Sequence, residues 1–307
     1  MFEAAVILIN YNSSGFTINC VHSIFGKTDP NLSFEVIIVD NCSEKADYEL
    51  LKNFCEQTPY ANVKLVRSKI NSGFGAGNMF GVQYANAKYF AFVNNDTLFI
   101  NDCLSILLRH MKNNPEIGIC GPMAFKENGN FLPTMDHFVS LPKELFGRKP
   151  LEILNPKRYP NRKKIYDHPV RAQFIAGSFL VVKADDFNEV GGFDTNLFLY
   201  HEETDLCKRL ARRKKFAFMI PEAKLTHFHG ASTKKSIAIK IELKISLLYV
   251  IRKHHGYIPF VILLFCLQIR YFISSIFRPK YWDLFYVLII GAPLSKSLKT
   301  KQKLQHI

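Results

Sequence analysis

Residues 4–9 (Ala-Ala-Val-Ile-Leu-Ile) and 34–39 (Phe-Glu-Val-Ile-Ile-Val) are short, almost unbroken apolar runs, and between them Ile18, Val21, His22, Ile24 and Phe25 recur at helical spacing. Runs this short read as strands buried on both faces, and a helix joining two of them makes the pair parallel. The unit repeats: 48–54 reads as a helix, 63–66 as a strand, 76–87 as a helix, and 89–93 as a strand entering Asn94-Asn95-Asp96. This alternation predicts an open, mostly parallel α/β sheet flanked by helices, with ligands at the carboxyl ends of the strands. A helix over 104–111, strands over 117–120, 174–182 (with a Gly177-Ser178 break) and 216–220, and a helix from Ala184 extend it.

Composition narrows the class. With 307 residues, 48% of them hydrophobic, the chain can bury a full core. The net charge of +14 is local: 143–164 carries eight Lys/Arg against two acids, and 236–307 carries eleven against two. The first segment belongs to an irregular basic insertion over 126–169, expected to be a mobile functional loop or disordered. Nucleic acid is not the expected partner, because no recognition motif accompanies the charge and the tail is too apolar for a solvated phosphate-binding face. Seven cysteines without a CxxC pair suit free thiols in a reducing compartment. The N-terminus lacks a basic segment and meets Asn10 before a signal peptide could form, so a cytoplasmic location is expected. In the tail the longest apolar run, 257–269, is 13 residues before Arg270. That falls short of the roughly 20 needed to span a bilayer. Amphipathic helices that pack on the core or lie on an anionic membrane surface are expected instead.

Three strand ends carry the polar residues: Asn10-Tyr11-Asn12, Asp40-Asn41 and Asn94-Asn95-Asp96. Turns and caps explain any one of them, but three at one edge predict a site. Gly73, Gly75 and Gly77 give GxGxG, not the dinucleotide GxGxxG, and no GK[ST] follows. Such a loop brings backbone close to a ligand ahead of a helix near Gly77, whose free N–H groups favour phosphate. Asp96 with its two Asn neighbours is a hard-oxygen set suited to Mg2+ or Mn2+ carrying diphosphate, and His227 is placed to complete it. Downstream, Glu202, Glu203 and Asp205 stand beside His201, ahead of Lys208-Arg209. They form either an acidic helix start before a solvated basic face or a catalytic cluster.

The series Asn10-Tyr11-Asn12, Val39-Asp40-Asn41, Asn71-x-Gly73-x-Gly75-x-Gly77-Asn78, Asn94-Asn95-Asp96, Gly191-Gly192-Phe193-Asp194, Glu202-Glu203-x-Asp205-Leu206-Cys207 and His227-x-x-Gly230-Ala231-Ser232 resembles glycosyltransferase family 2. The nearest likeness is to its bacterial rhamnosyltransferase-like branch, over residues 4–235. The resemblance implies a GT-A fold binding a nucleoside-diphosphate sugar (dTDP-L-rhamnose or a UDP-sugar), with inversion at the anomeric carbon. It assigns Asn10, Tyr11, Asn12, Asp40, Asn41, Asn71, Gly73, Gly77, Asn78, Asn95 and Asp96 to the nucleotide sugar. Asn10 and Asp40 are to hold base and ribose, and the 71–78 loop is to close over the nucleotide. Asp96 and His227 become ligands of Mn2+ or Mg2+, and Gly177, Ser178, Gly192, Phe193 and Asp194 line the acceptor or donor sugar. Glu203 takes the place of the general base, with Glu202 and Asp205 left open as alternatives. A glycan or polyprenyl-linked saccharide acceptor follows, with 1–235 as the transferase domain and 236–307 as a tail on the inner face of a bacterial plasma membrane. A non-catalytic member of the fold and a dinucleotide-dependent oxidoreductase are the rival readings.

Overall fold

The structure is a computed structural model that describes residues 1–228 and 236–304. Its first half alternates as the periodicity requires: β1 (Phe2–Asn10), α1 (Ser14–Lys27), β2 (Phe34–Asp40), α2 (Lys45–Gln57), β3 (Val63–Arg67), α3 (Gly73–Val82), β4 (Ala87–Asn94). A short β5 (Thr97–Phe99), α4 (Cys103–Asn113) and β6 (Ile117–Phe125) follow. Next come β7 (Phe131–Leu132), β8 (Met135–Asp136), α5 (Leu141–Phe146), α6 (Lys149–Leu154), β9 (Val170–Ala172), β10 (Phe174–Ile175), β11 (Phe179–Lys183) and α7 (Ala184–Glu189). After α8 (Glu202–Arg212) and β12 (Phe216–His227), the tail holds α9 (Ile237–His255), α10 (Tyr257–Phe277) and α11 (Trp282–Ile289).

The main sheet runs β3-β2-β1-β4-β11-β6-β12-β5. Strands β1 to β4 are parallel, β11 is antiparallel to both its neighbours, and β6 and β12 are parallel to each other. Side chains alternate across the strands. Ala4, Val6 and Leu8 of β1 therefore meet Val21, Ile24, Leu104 and Leu107 on one face, while Ala5 and Ile7 meet Phe92, Phe187 and Phe193 on the other.

Two expected boundaries change. Helix α3 covers Gly73–Val82 rather than 76–87, so the glycine-rich segment is its first turns, not a loop before it. Its glycines admit the sheet: a Cβ on Gly77 would lie 2.9 Å from Ile9 Cδ1, and one on Gly81 2.6 Å from Ile7 Cγ2. The strand expected over 174–182 is two strands, β10 and β11, because the Ala176–Gly177–Ser178 turn breaks it.

Segment 126–169 is mostly irregular but tied down. Asp136 pairs with Arg148 at 2.6 Å, Arg162 at 3.2 Å and Lys143 at 3.7 Å. Burial alone would raise its pKa, but Arg148 and the other cations hold it at about 2.

The tail forms its own apolar cluster, with Ile245, Leu248 and Ile251 of α9 against Leu263 and Leu267 of α10 and Leu284 and Leu288 of α11. Arg270 does not end α10. The helix continues to 21 residues with mean hydropathy 2.0, long and apolar enough to cross a membrane by length and composition, which corrects the limit drawn from the 13-residue run. Only 28% of its most apolar stretch is buried. The outward row Phe265, Ile269, Phe272 and Ile276 is exposed.

Candidate active site

Strand pairing assembles the first part of the site. β5 turns back from Asp96 and pairs antiparallel with β12, which sets His227 opposite Thr97. The Phe228 N–H donates to the Asp96 carbonyl at 3.0 Å. Asp96 Oδ1 consequently lies 3.2 Å from His227 Nε2, both residues largely buried. Two donors about 2.1 Å from one octahedral ion and at right angles are about 3.0 Å apart, so the carboxylate and imidazole fit a shared Mn2+ or Mg2+. No group of three or more His, Cys, Asp or Glu side chains that could hold a metal ion occurs among the described residues. The sequence triplet Gly230-Ala231-Ser232 lies outside the described residues.

A cavity of about 390 Å3 adjoins this pair, lined by Tyr11, Ser13, Asn41, Asn71, Gly73, Phe74, Asn94, Asn95 and Asp96. Its wall is braced by Asn41: Nδ2 donates to Asn71 Oδ1 at 3.0 Å and to the Gly73 carbonyl at 3.2 Å, and Oδ1 accepts from Ser72 N at 3.1 Å. Gly73 has φ +80, and a Cβ there would sit 2.0 Å from the Phe198 carbonyl oxygen. Glycine is thus required where α3 starts. Asn95 Nδ2 donates to Ser13 and Thr17 hydroxyls at 2.8 Å, closing the floor.

Several expected ligand contacts are instead scaffold. Asn10 is fully buried, donating from Nδ2 to Asp40, Ser43 and Asp47 and accepting from the Thr17 hydroxyl. Asp40, also fully buried, pairs with Arg67 Nε at 3.2 Å. Neither is among the residues that line the cavity. Asn12 Oδ1 accepts from Glu44 N at 2.7 Å, Asn78 Nδ2 donates to the Phe74 carbonyl at 3.0 Å, and Gly77 packs on Ile9; none of the three lines the cavity.

The acid cluster separates into three roles. Tyr200 (φ 74) and His201 (φ 71) both hold left-handed backbone immediately before α8, a strained entry found at functional sites. Glu203 is partly buried, and its Oε1 accepts from the Gly177 N–H at 2.8 Å. A Cβ on Gly177 would come within 2.5 Å of that oxygen, so only glycine admits the carboxylate. The next residue, Ser178, accepts from Asn94 N–H at 3.0 Å. Two hydrogen bonds thus link Glu203 to the end of β4, two residues from Asp96, and both acids stand at one edge of the sheet. Glu202 is 1% exposed, and its Oε1 has no hydrogen-bond partner. Burial, then the neighbouring Glu203 charge, pushes the Glu202 carboxyl well above the ordinary carboxylate range. Burial raises Glu203 too, while the Gly177 N–H favours its anion.

Asp205 is not available to take a proton, which corrects its place among the candidate bases. Oδ1 lies 2.7 Å from both Lys253 and His254, and Oδ2 lies 2.7 Å from Arg209 Nη2. Burial would raise its pKa, but His254, Arg209 and Lys253 hold it far below the carboxylate range. Residues 192–194, expected to line a sugar, are engaged by protein partners. Arg209 binds the Gly192 carbonyl at 2.6 Å, and Phe193 is buried against Phe74, Phe92 and Phe187. Asp194 accepts from Tyr249 at 2.8 Å and Lys253 at 2.7 Å. These residues dock α9 on the sheet domain.

Sequence reasoning missed one wall of the cavity. Ile239 of α9 and Leu298 and Gln302 of the C-terminal strap line it. Buried Glu242 latches that strap, accepting from the Ser297 hydroxyl at 2.9 Å and Leu298 N at 2.8 Å. The available signal was Glu242 itself, one of two acids in a strongly basic tail.

The sheet order, the Asp96 edge and the cavity define a GT-A fold. Solved structures agree. GalNAc-T7 with UDP, GalNAc and Mn2+ aligns with TM-score 0.61 at 14% identity, over 82% of this chain and 48% of that one. A mannosyltransferase from Pyrobaculum calidifontis with GDP-Man and Mn2+ aligns with TM-score 0.58 at 14% identity, over 96% of this chain and 87% of that one. The sequence profile described as Glycosyl transferase family 2 matches residues 5–189, and the chain belongs to that family. Relatives include rhamnosyltransferase WbbL of Escherichia coli K12, 26% identical over 72% of this chain and 83% of its own length. Another is the N-acetylglucosaminyl-diphospho-decaprenol L-rhamnosyltransferase of Mycobacterium tuberculosis, 24% identical over 64% and 70% respectively. The chain is a nucleotide-sugar glycosyltransferase.

Proposed function

We propose that the chain is a metal-dependent, inverting hexosyltransferase using dTDP-L-rhamnose or a UDP-sugar. Its acceptor is a hydroxyl of a glycan or polyprenyl-linked saccharide, in synthesis of a bacterial surface polysaccharide of O-antigen or capsule type. The rhamnosyltransferase relatives support the donor class, and the decaprenol-linked substrate in the mycobacterial relative's name supports the acceptor class. The observation that carries the mechanism is the Glu203 carboxylate, fixed by Gly177 at the sheet edge that also presents Asp96 and His227.

The nucleotide occupies the Tyr11–Asn41–Asn71 cavity, with its diphosphate toward Asp96 and His227. Asp96 and His227 would hold a Mn2+ or Mg2+ ion there, which would supply positive charge against the leaving diphosphate. Glu203 removes the proton of the acceptor hydroxyl as the donor C–O bond breaks, because Glu202 retains the proton the two acids cannot both lose. Attack from the Glu203 side and departure on the metal side are in line, so configuration inverts. Residues 1–235 carry the transfer chemistry. The basic, apolar tail 236–307 holds the enzyme on the cytoplasmic face of the membrane, where lipid-linked acceptors reside.

Donor hydrolysis and transfer are to be measured with dTDP-L-rhamnose and UDP-sugars, with Mn2+, Mg2+ or chelator. Asp96→Ala should weaken metal-dependent donor binding. Glu203→Gln should keep donor binding and lose transfer by about 100-fold or more, the range of a removed general base. Full turnover by Glu203→Gln would remove the assigned base, and turnover unaffected by chelation would remove the metal.

A further inference from the structure

The side chains of two tail cations, Lys244 of α9 and Arg270 of α10, make no hydrogen bond and no ion pair among the described residues, and Arg270 lies 6.0 Å from the Tyr271 ring. They are not isolated. Lys240, one turn before Lys244, donates to the Tyr281 hydroxyl at 3.0 Å and lies 4.3 Å over that ring and 5.4 Å from the Tyr271 ring of α10. Lys244 is partly buried where α9, α10 and α5 meet. Burial depresses its pKa, Arg270 and Lys240 depress it further, and Glu144 is the opposing acid. The same stretch of α9 borders the entry to α8: the Ser246 hydroxyl donates to the Leu199 carbonyl at 2.8 Å, and burial with the Lys143 and Lys244 charges holds the His201 imidazole at about 3. Helix α9, which carries Lys240 and Lys244, therefore lies against both the segment that precedes the acid pair and α10, whose outward face is apolar.

A partly desolvated cluster of like charges is costly unless an anion completes it. This cluster has one carboxylate, Glu144, against Lys240, Lys244 and Arg270. It adjoins a strip of exposed Phe265, Ile269, Phe272 and Ile276, the first of them 60% exposed, which suits a hydrocarbon chain. The geometry points to a binding site for the diphosphate of an amphiphilic acceptor: Lys244 and Arg270, flanked by Lys240, hold the diphosphate, its chain lies along α10, and its sugar extends toward Glu203. This rests on the lipid-linked acceptor proposed above and assigns the residues that recognise its charged link.

The test uses the full chain with saturating UDP and Mn2+, so that the nucleotide cavity is filled. Farnesyl diphosphate is titrated, with farnesol and inorganic pyrophosphate as comparators, and flotation on phosphatidylglycerol vesicles is read alongside. Farnesyl diphosphate should bind more tightly than either comparator. Lys244→Ala combined with Arg270→Ala should weaken it about tenfold or more, as expected for two lost charge-assisted contacts. Lys244→Arg should retain most of the affinity, and UDP affinity and melting temperature should be unchanged in all variants. Unchanged farnesyl diphosphate affinity in the double variant overturns the site. Loss of flotation alone, with that affinity intact, assigns the cations to lipid headgroups and overturns it equally. UDP binding is scored in the same samples, so failure of the transferase reading shows as absent nucleotide binding and is distinguishable from failure of this site.

Discussion

Glu202 and Glu203 are adjacent in the chain but differ in surroundings: one carboxylate oxygen of Glu202 is buried without a partner, while Glu203 is held by a backbone N–H. That difference makes Gly177 as important as the acid it holds. Gly177→Ala should leave the fold intact and lower kcat by on the order of 100-fold, the effect of displacing a reacting group by about 1 Å. An unchanged kcat would show that Glu203 works from another position. Folding raises the Glu202 pKa above the ordinary 4.5. Between 4.5 and the raised value the native state binds more protons than the unfolded state, so stability falls as pH rises through that window. Relative to the parent, Glu202→Gln should therefore melt higher at pH 8 than at pH 5. Melting curves offset equally at both pH values would mean that Glu202 is ionised in the fold. At this scale the sequence made the residue types legible but not their duties. Asn10, Asp40 and Asp205 have the polarity of site residues, and burial with saturated hydrogen bonds made each of them scaffold.

Helix α3 shows how an element can be placed by what it lacks. Its glycines let the helix approach β1 closely and open the cavity wall at Gly73, a packing reason rather than a phosphate-loop reason. Helix α8 joins the two halves of the protein, with Glu203 facing the site and Asp205 facing α9. Breaking one partner of such a buried ionic cluster costs about 3–5 kcal/mol, so Asp205→Asn should lower the urea midpoint by that equivalent. A midpoint within experimental error of the parent would deny α8 this role. The C-terminal strap follows the same logic. Leu298→Ala with Gln302→Ala should weaken UDP or dTDP binding about fivefold, close to 1 kcal/mol of lost contact. Equal affinity would place the nucleotide away from the strap.

For the whole molecule, the tail is part of the cavity as well as its surroundings, since α9 and the strap complete its wall while α10 presents its apolar row outward. Full-length protein should float with anionic vesicles, and Phe265→Ser with Phe272→Ser should abolish flotation while UDP binding persists; flotation by the double variant would rule out this face. The sheet and its polar edge were legible because periodicity is a local property. Buried parallel strands must be apolar throughout, their carboxyl ends must carry the polar turns, and this set Asp96 at the edge without any knowledge of packing. Which acid is free, which asparagine faces a ligand, how α3 begins and that residues near 298 close a cavity begun near residue 9 were decided only in three dimensions. Burial, hydrogen-bond saturation and long-range contact depend on partners far away in the chain, and no short stretch of sequence contains them.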